Sequence, residues 1–233
     1  MTLNLPRPRW PGYEIAVIGG QHEDDLAVAG GYLSVAEIAA THWSLHGPDD
    51  SLPIPILYNY RHSVELSLKW LIRFAAGIIR RGAYDTRGEN LSHDKVDEKL
   101  RDDSHSIRKL AERLNRYLGL IPDLDPPNNR IDAESFEALK WLDAQDETGE
   151  TFRYSMIGKG ADSRPARETQ TNINFYDHVN RVHQLALLLQ AGYPDALDAF
   201  RDLQDEYLQE AREEYLQEMR EEYLQEMREM TDD

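Results

Sequence analysis

Arg61, Glu65 and Lys69 follow one another at four-residue intervals, so their side chains share one face of a helix. A guanidinium, a carboxylate and an ammonium group in this order could bind an anion, or they could pair with one another. Such i,i+4 pairs contribute only about a few tenths of a kcal/mol each on a helix surface. His62 lies beside the row and adds an imidazole, whose pKa near neutrality suits a general acid or base. Charge pairing is the simpler interpretation, and a shallow binding groove is the alternative.

A second set of polar residues could reach this face from other parts of the chain. His105 stands at the start of a predicted helix, where a histidine is most often a cap or a packing residue. Arg153, Tyr154 and Lys159 belong to the longest segment without helical periodicity, residues 147–171, and long loops are often functional. Tyr154 is expected to anchor this loop in the core rather than to act as a catalyst. The candidate binding residues are Arg61, His62, Glu65, Lys69, Arg153, Tyr154 and Lys159, and the candidate catalytic residues are Arg61, His62, His105 and Arg153.

Metal and phosphate-loop chemistry find little support in the sequence. His42 and His46 could share a metal ion, but no third ligand stands near them, and a helix that ends at Gly47 explains them better. The Gly-Lys-Gly sequence at 158–160 is not a phosphate-binding loop, because neither Ser nor Thr follows the lysine. The chain has no cysteine, which excludes thiolate sites and disulfides. We therefore expect neither a metal nor a cofactor.

The segment from Ile56 to Arg81 is the element around which the fold is predicted to be organised. At about 100° per residue, its charged groups fall within roughly a third of the circumference, and apolar residues cover most of the rest. An apolar arc that wide is more than one packing partner can bury. We therefore predict a central helix, whose charged side faces a cleft, a second subunit or the loop that carries Arg153 rather than open solvent.

Further helices are predicted from apolar spacing and from residues that favour helix ends. Asp103 or Ser104 is expected to cap the helix over 105–118, and Gly192 with Pro194 is expected to close the helix over 174–190. The remaining predicted helices cover about residues 23–46, 95–101 and 133–146, and a last one begins near Asp195.

These elements predict an all-α fold, an up-and-down helical bundle of about five to six helices with a long C-terminal helical extension. Residues 1–22 are predicted to form an extended N-terminal arm, residues 23–200 the bundle, and residues 201–233 an acidic helical tail.

The net charge of −17 is distributed unevenly along the 233 residues. Residues 205–233 hold twelve acidic residues and three arginines, a net charge of −9. The rest of the chain is only mildly acidic, so the total charge does not exclude a local RNA site. No apolar run approaches the roughly 20 residues of a membrane span, and no signal peptide begins the sequence, so a cytoplasmic protein is the simplest expectation.

The acidic tail contains a tandem octapeptide, DEYLQEAR followed by two copies of EEYLQEMR, between Asp205 and Arg228. Such a repeat averages about 4.0 residues per turn, so its Tyr, Ala and Met positions drift about 40° every four residues and wrap around the helix. Arg212 and Arg220 have no acidic residue three or four positions away, whereas glutamates repel one another at that spacing. We expect a tail that is helical near the bundle and more mobile further out, with a protein partner along its Tyr/Leu/Met strip.

Three segments in order resemble the HEPN superfamily of prokaryotic helical domains, and more closely its poorly characterised members. Tyr60–Lys69, YRHSVELSLK, is similar to the amphipathic HEPN helix with a His/Glu and Lys face. Ser104–Leu110, SHSIRKL, is similar to the His-x-Leu-x-x-Leu helix start, and Phe152-Arg153-Tyr154 precedes the late helix. The resemblance covers about residues 50 to 192, and the order of the segments is more specific than any one motif.

The resemblance implies a bundle that is often dimeric and, in active members, a metal-independent ribonuclease. Active members use an Arg-x4–6-His motif on a late helix, where arginine and histidine from two subunits act on one scissile phosphate. Here the only match in spacing is Arg87 to His93, in a predicted loop, and the late helix offers only Arg181-Val182-His183. The chain thus resembles an uncharacterised HEPN branch without a clear catalytic motif.

Two functions of different classes remain open. The first is a non-catalytic HEPN-like interaction module, expected to be a homodimer and to work beside an effector of a bacterial defence or toxin–antitoxin system. The second is a HEPN-like ribonuclease or RNA-binding protein that uses Arg61, His62, His105 and Arg153 in place of the usual motif. The second requires these groups to converge on one solvent-open point, whereas scattered or internally satisfied groups favour the first.

Overall fold

The computed structural model describes residues 24–231 except 48, 123, 125–127, 159–161 and 171, and of residues 225, 226 and 228–231 it describes only the backbone. The predicted arm over residues 1–22 and the candidate Lys159 lie outside the described residues. No helix within the described part of the chain is long and apolar enough to cross a membrane. The helices are α1 (Asp25–His46), α2 (Pro53–Arg81), α3 (His93–Asp103), α4 (Ile107–Leu118), α5 (Ala133–Gln145), α6 (Phe175–Leu187) and α7 (Tyr193–Thr231).

The all-α prediction is confirmed, including the long C-terminal helix. The helices α1 to α6 and the first turns of α7 form the bundle. Its only strands in the described residues are β1 (Met156–Ile157) and β2 (Arg164–Pro165), an antiparallel pair inside the long loop between α5 and α6. The loop therefore folds back on itself instead of adding a sheet to the core.

The central helix is α2, as its wide apolar arc predicts. It contacts every other α-helix that the structure describes. Leu68, Leu71 and Ile72 have no exposed surface, and burying a side chain of this size contributes about 1.5–3 kcal/mol. The helix begins at Pro53, earlier than the predicted Ile56, because a proline in the first turn has no N–H that needs a partner inside the helix.

The start of α4 differs from the prediction. The expectation that Asp103 or Ser104 caps this helix is wrong, because α3 continues through Asp103 and Ser104 has a positive φ of 53°. Ser106 is the cap, and its side-chain oxygen accepts a hydrogen bond from the backbone N–H of Lys109. The sharp turn at Ser104 places His105 between the two helices, where its carbonyl and its ring both face α2.

The predicted break at Gly192 and Pro194 is wrong. A π-helical turn, Leu188–Gly192, joins α6 directly to α7. Pro194 is the second residue of α7, a position where the missing N–H and the fixed φ of proline are tolerated. The wider turn accommodates both residues without interrupting the helix.

Contact between α7 and the bundle ends near Asp205. Gln204 is buried, and its Nε2 donates to the hydroxyl of Tyr84 at 2.9 Å. Arg81 pairs with Asp205 at 2.7 Å. From Asp205 to Leu224 every side chain is exposed, although the helix continues without a break. The end of the bundle is therefore a change in burial and not in secondary structure.

Candidate functional site

Arg61 is buried on α2, where the loop after α5 crosses the helix. Its side chain binds through all three nitrogens: Nε donates to the carbonyl oxygen of Asp146 at 3.0 Å, one terminal nitrogen to Oε2 of Glu65 at 3.1 Å, and the other to the carbonyl oxygen of His105 at 2.5 Å. Only 3% of Arg61 is exposed. One guanidinium thus ties α2 to the start of α4 and to the loop. We call Arg61, Glu65, Lys69, His105 and Asp146 the Arg61 cluster.

Glu65 is the acceptor at the centre of the Arg61 cluster. Its Oε1 accepts from Nζ of Lys69 at 2.6 Å and from Nδ1 of His105 at 2.9 Å, while Oε2 accepts from Arg61. The residue is 2% exposed. Burial by itself would raise the pKa of the Glu65 carboxyl, but hydrogen bonds and charges from Lys69 and His105 outweigh it and lower the pKa. The carboxylate is therefore ionised, and both of its oxygens accept hydrogen bonds from neighbouring side chains.

Asp146 supplies the second negative charge of the Arg61 cluster. It is buried, its Oδ2 lies 3.5 Å from Nε of Arg61, and its Oδ1 accepts from the backbone N–H of Thr151 at 2.8 Å. Two carboxylates thus face the two cations Arg61 and Lys69. This balance is what allows an arginine and two acids to be buried together, because an unpaired buried charge is strongly destabilising.

Gly149 lets the loop approach Arg61 and His105 closely. Its φ is +76°, and a Cβ atom built on it would lie 3.0 Å from Cβ of His105 and 3.4 Å from a terminal nitrogen of Arg61. A side chain here would be strained by the backbone and crowded by its neighbours. The loop therefore covers the Arg61 cluster because residue 149 is glycine.

His105 is the most exposed member of the Arg61 cluster. Its side chain is 49% exposed, although Nδ1 is held by the Glu65 carboxylate. With Nδ1 as donor, Nε2 makes no hydrogen bond to any residue that the structure describes. A carboxylate that orients a histidine in this way is a common arrangement in general base catalysis. This pair is the one feature of the cluster that could act on a substrate.

His62 does not join this arrangement. Its ring stands edge-on to Tyr32, with centroids 4.3 Å apart, and stacks on Tyr58 at 5.8 Å. Burial lowers the pKa of the His62 imidazole, which favours its neutral form. The ring is held by aromatic packing, and it makes no hydrogen bond to the Arg61 cluster.

Arg153 braces the covering loop and does not reach into the cluster. Its Nε donates to the carbonyl oxygen of Gly149 at 2.8 Å, and its guanidinium lies 5.3 Å from the ring centre of Tyr154. Tyr154 is exposed, so the expectation that it anchors the loop in the core is wrong. The loop is anchored instead by Asp146 and Gly149, which are smaller residues than Tyr154 and contact Arg61 directly.

The sequence does not single out Asp146 or Gly149 as site residues. Asp146 is the last residue of the predicted helix over 133–146, and Gly149 lies within the segment 147–171 that lacks helical periodicity. A glycine shortly after a helix end is a sign of a turn with positive φ. That sign does not reveal which residue the turn will cover.

The remaining histidine candidates also have local partners. His42 and His46 stack with ring centres 4.2 Å apart, and Nδ1 of His46 bonds to the carbonyl oxygen of His42 in its own helix. His93 contacts a terminal nitrogen of Arg80 at 3.1 Å through Nε2. Among the residues that the structure describes, no three His, Cys, Asp or Glu side chains are grouped to hold a metal ion.

Comparisons with family models, with curated proteins and with solved structures find no match for this chain.

Proposed function

We propose that this chain is a non-catalytic, HEPN-like helical interaction module. The observation that carries the proposal is the burial of Arg61 with all three of its nitrogens bonded inside the protein. An arginine that stabilises a phosphate in a transition state must present N–H groups to that phosphate. Arg61 instead joins three elements of the fold, which is a structural role.

The distribution of the other candidates supports the same proposal. His105 bonds to Glu65, His62 packs between two tyrosines, and Arg153 bonds to a loop carbonyl. Each group is held by a different set of neighbours. A phosphodiester cleavage site would need a general base, a general acid and a cation directed at one point.

The module is proposed to be a homodimer that pairs through α1. Val35, Ile38 and Leu45 of this helix are exposed. They lie on one side of it, because residues three and seven positions apart share a helix face. Asp25 and Glu37 are the only acidic residues of α1. In a chain with a net charge of −17, a nearly uncharged apolar face is where two copies can approach with the least repulsion.

A second candidate function, an RNA-cleaving or RNA-binding protein, is favoured by one observation. His105 is half exposed and is oriented by the buried Glu65 carboxylate. Lys69 and Arg101 line the same surface depression and carry positive charge. This arrangement could accept a proton from a ribose hydroxyl next to a bound phosphate.

Incubation of the purified full chain with total RNA separates the interaction module from an RNA-cleaving enzyme, and a gel-shift measurement on the same mixtures detects RNA binding without cleavage. The matched proteins are the His62→Ala/His105→Ala variant and a control, His42→Ala/His46→Ala, which removes two exposed histidines of α1. An interaction module leaves RNA intact in all three reactions. Cleavage that is lost in the first variant and kept in the control establishes the ribonuclease instead. Cleavage by all three proteins would overturn both the proposal and the assignment of His62 and His105.

A further inference from the structure

The exposed part of α7 carries a row of apolar side chains with nothing packed on it in the described structure. From Asp205 to Leu224 the helix projects beyond the bundle with every side chain exposed. Each octapeptide contributes one adjacent Tyr-Leu pair to its surface. We call these pairs the Tyr-Leu strip, which consists of Tyr207, Leu208, Tyr215, Leu216, Tyr223 and Leu224.

The helix itself is weakly supported by its own side chains. Gln209 donates to Glu213 at 3.0 Å and Gln217 donates to Glu221 at 3.2 Å, once in each of two repeats. Glutamates at 206, 210, 214 and 218 are four residues apart and repel. Isolated helices are marginal in water, and most helices in proteins are stabilised by packing an apolar face. Packing against the Tyr-Leu strip would supply that stabilisation.

A second copy of the tail is a poor occupant for this surface. Two tails of −9 each would bring a charge of −18 together. The repeat also advances the strip by about 80° every eight residues at about 100° per residue, so two such helices cannot keep a common straight seam. Charge and geometry both exclude pairing of one tail with its copy.

A basic amphipathic segment of another protein satisfies the charge condition, and it needs no common seam along the whole tail if it packs on one Tyr-Leu pair at a time. Its apolar residues would cover the tyrosines and leucines, and its lysines or arginines would meet the glutamates that flank each pair. We infer that the Tyr-Leu strip is a docking surface for such a segment of another protein. This inference rests on the proposed function as an interaction module and names the chemistry of its partner.

The near-identical repeats make the surface multivalent. Successive Tyr-Leu pairs are about 12 Å apart along the helix, from eight residues at about 1.5 Å each. Each pair is a small site, and linking small sites raises the overall affinity by about 10²–10⁴-fold when they are engaged together. The inferred partner therefore has its apolar and basic residues repeated at about this spacing or extended over more than one pair.

The test measures binding of a synthetic peptide to the full chain by fluorescence anisotropy at physiological salt. The probe is a labelled helix of leucine and lysine with leucines at i, i+3, i+4 and i+7. Two comparison peptides are a scrambled sequence of the same composition and one with glutamate in place of lysine. We expect the patterned basic peptide to bind at least about tenfold more tightly than the scrambled one and the acidic one not to bind.

Variants of the chain then locate the site. Replacing Tyr215, Leu216, Tyr223 and Leu224 by serine should weaken binding at least about tenfold. Deleting residues 213–220 removes one whole repeat, leaves the flanking sequence in the same register, and should weaken binding by a smaller factor. Tyr176→Ser/Leu187→Ser removes exposed apolar side chains from α6 and should bind as the unaltered chain does. Since all these positions are exposed, circular dichroism should show an intact bundle in each variant.

Three results would overturn the inference: equal binding of patterned and scrambled peptides, unchanged binding by the serine variant, or self-association that is lost when residues 205–233 are removed. The first two results do not bear on Arg61 or α1, whereas the third would also contradict pairing through α1. Intact RNA and a dimer through α1 together with absent peptide binding would leave the interaction module standing and remove only its basic partner. RNA cleavage together with peptide binding would overturn the non-catalytic module and keep the basic partner of the tail.

Discussion

Nδ1 of His105 lies 2.9 Å from Oε1 of Glu65, so a half-exposed imidazole at the start of α4 is joined to an almost fully buried carboxylate on α2. The same carboxylate holds Lys69 and Arg61. Glu65 therefore connects α2 to the start of α4, and its contribution to stability should exceed that of an i,i+4 ion pair on a helix surface.

Glu65→Gln should lower the free energy of unfolding by about 3 kcal/mol, because it leaves the buried Arg61 and the partly buried Lys69 with one carboxylate fewer. Urea unfolding measures the effect. Glu98→Gln on α3 is the matched control, since Glu98 pairs with Lys95 at the exposed surface and should change stability little. Equal effects of the two variants would contradict a structural role for the Arg61 cluster. The double variant Arg61→Met/Glu65→Leu should cost less than the sum of its two single substitutions.

Gly149→Ala should destabilise the protein by about 1–3 kcal/mol through its positive φ and through the contact with His105. Gly88→Ala separates the two causes, because Gly88 also has a positive φ of 82° but nothing lies within 4 Å of the added Cβ. Thermal unfolding should show the larger loss for Gly149→Ala. If both variants lose the same amount, the loop does not press on the Arg61 cluster.

His62 should make stability depend on pH in the range where histidine titrates. Burial lowers its pKa in the folded chain below the usual value of 6.5, so the unfolded chain takes up the proton first as the pH falls. Its contribution is complete above pH 6.5 and is lost as the pH falls from 6.5 towards the lowered pKa. The variant His62→Phe keeps an aromatic ring between Tyr32 and Tyr58 and should flatten this part of the curve. Urea midpoints between about pH 5 and 8 measure it, and an unchanged slope would assign the dependence to other groups.

The α1 face should govern the oligomeric state. Ile38→Glu/Leu45→Glu places two charges on each copy and should convert a dimer to a monomer in sedimentation equilibrium. Leu203→Glu, which changes a comparably exposed leucine of α7, should leave the dimer intact. A monomeric unaltered chain, or loss of the dimer in the control, would contradict pairing through α1.

Local sequence determined the helices of this protein and the ion pairs that its charged residues form within one helix. The 3.6-residue apolar period identified α2 as the central helix, and the four-residue spacing of Arg61, Glu65 and Lys69 placed their side chains within hydrogen-bond reach of one another. Both follow from helix geometry alone. Local sequence did not determine the helix ends, because the π turn before Tyr193 and the cap at Ser106 depend on how neighbouring helices pack.

Only the tertiary structure decided that Arg61 and Glu65 of this row are buried and what covers them. Asp146 and His105 are 85 and 40 positions from the α2 residues they bond, and no periodicity relates them. A loop is placed by the whole surface that it covers, here through a glycine that fits where no side chain would. Without the loop, the same Arg, Glu and Lys residues would form ion pairs exposed to solvent. Because the loop after α5 lies over them, they instead connect α2 with that loop and with the start of α4.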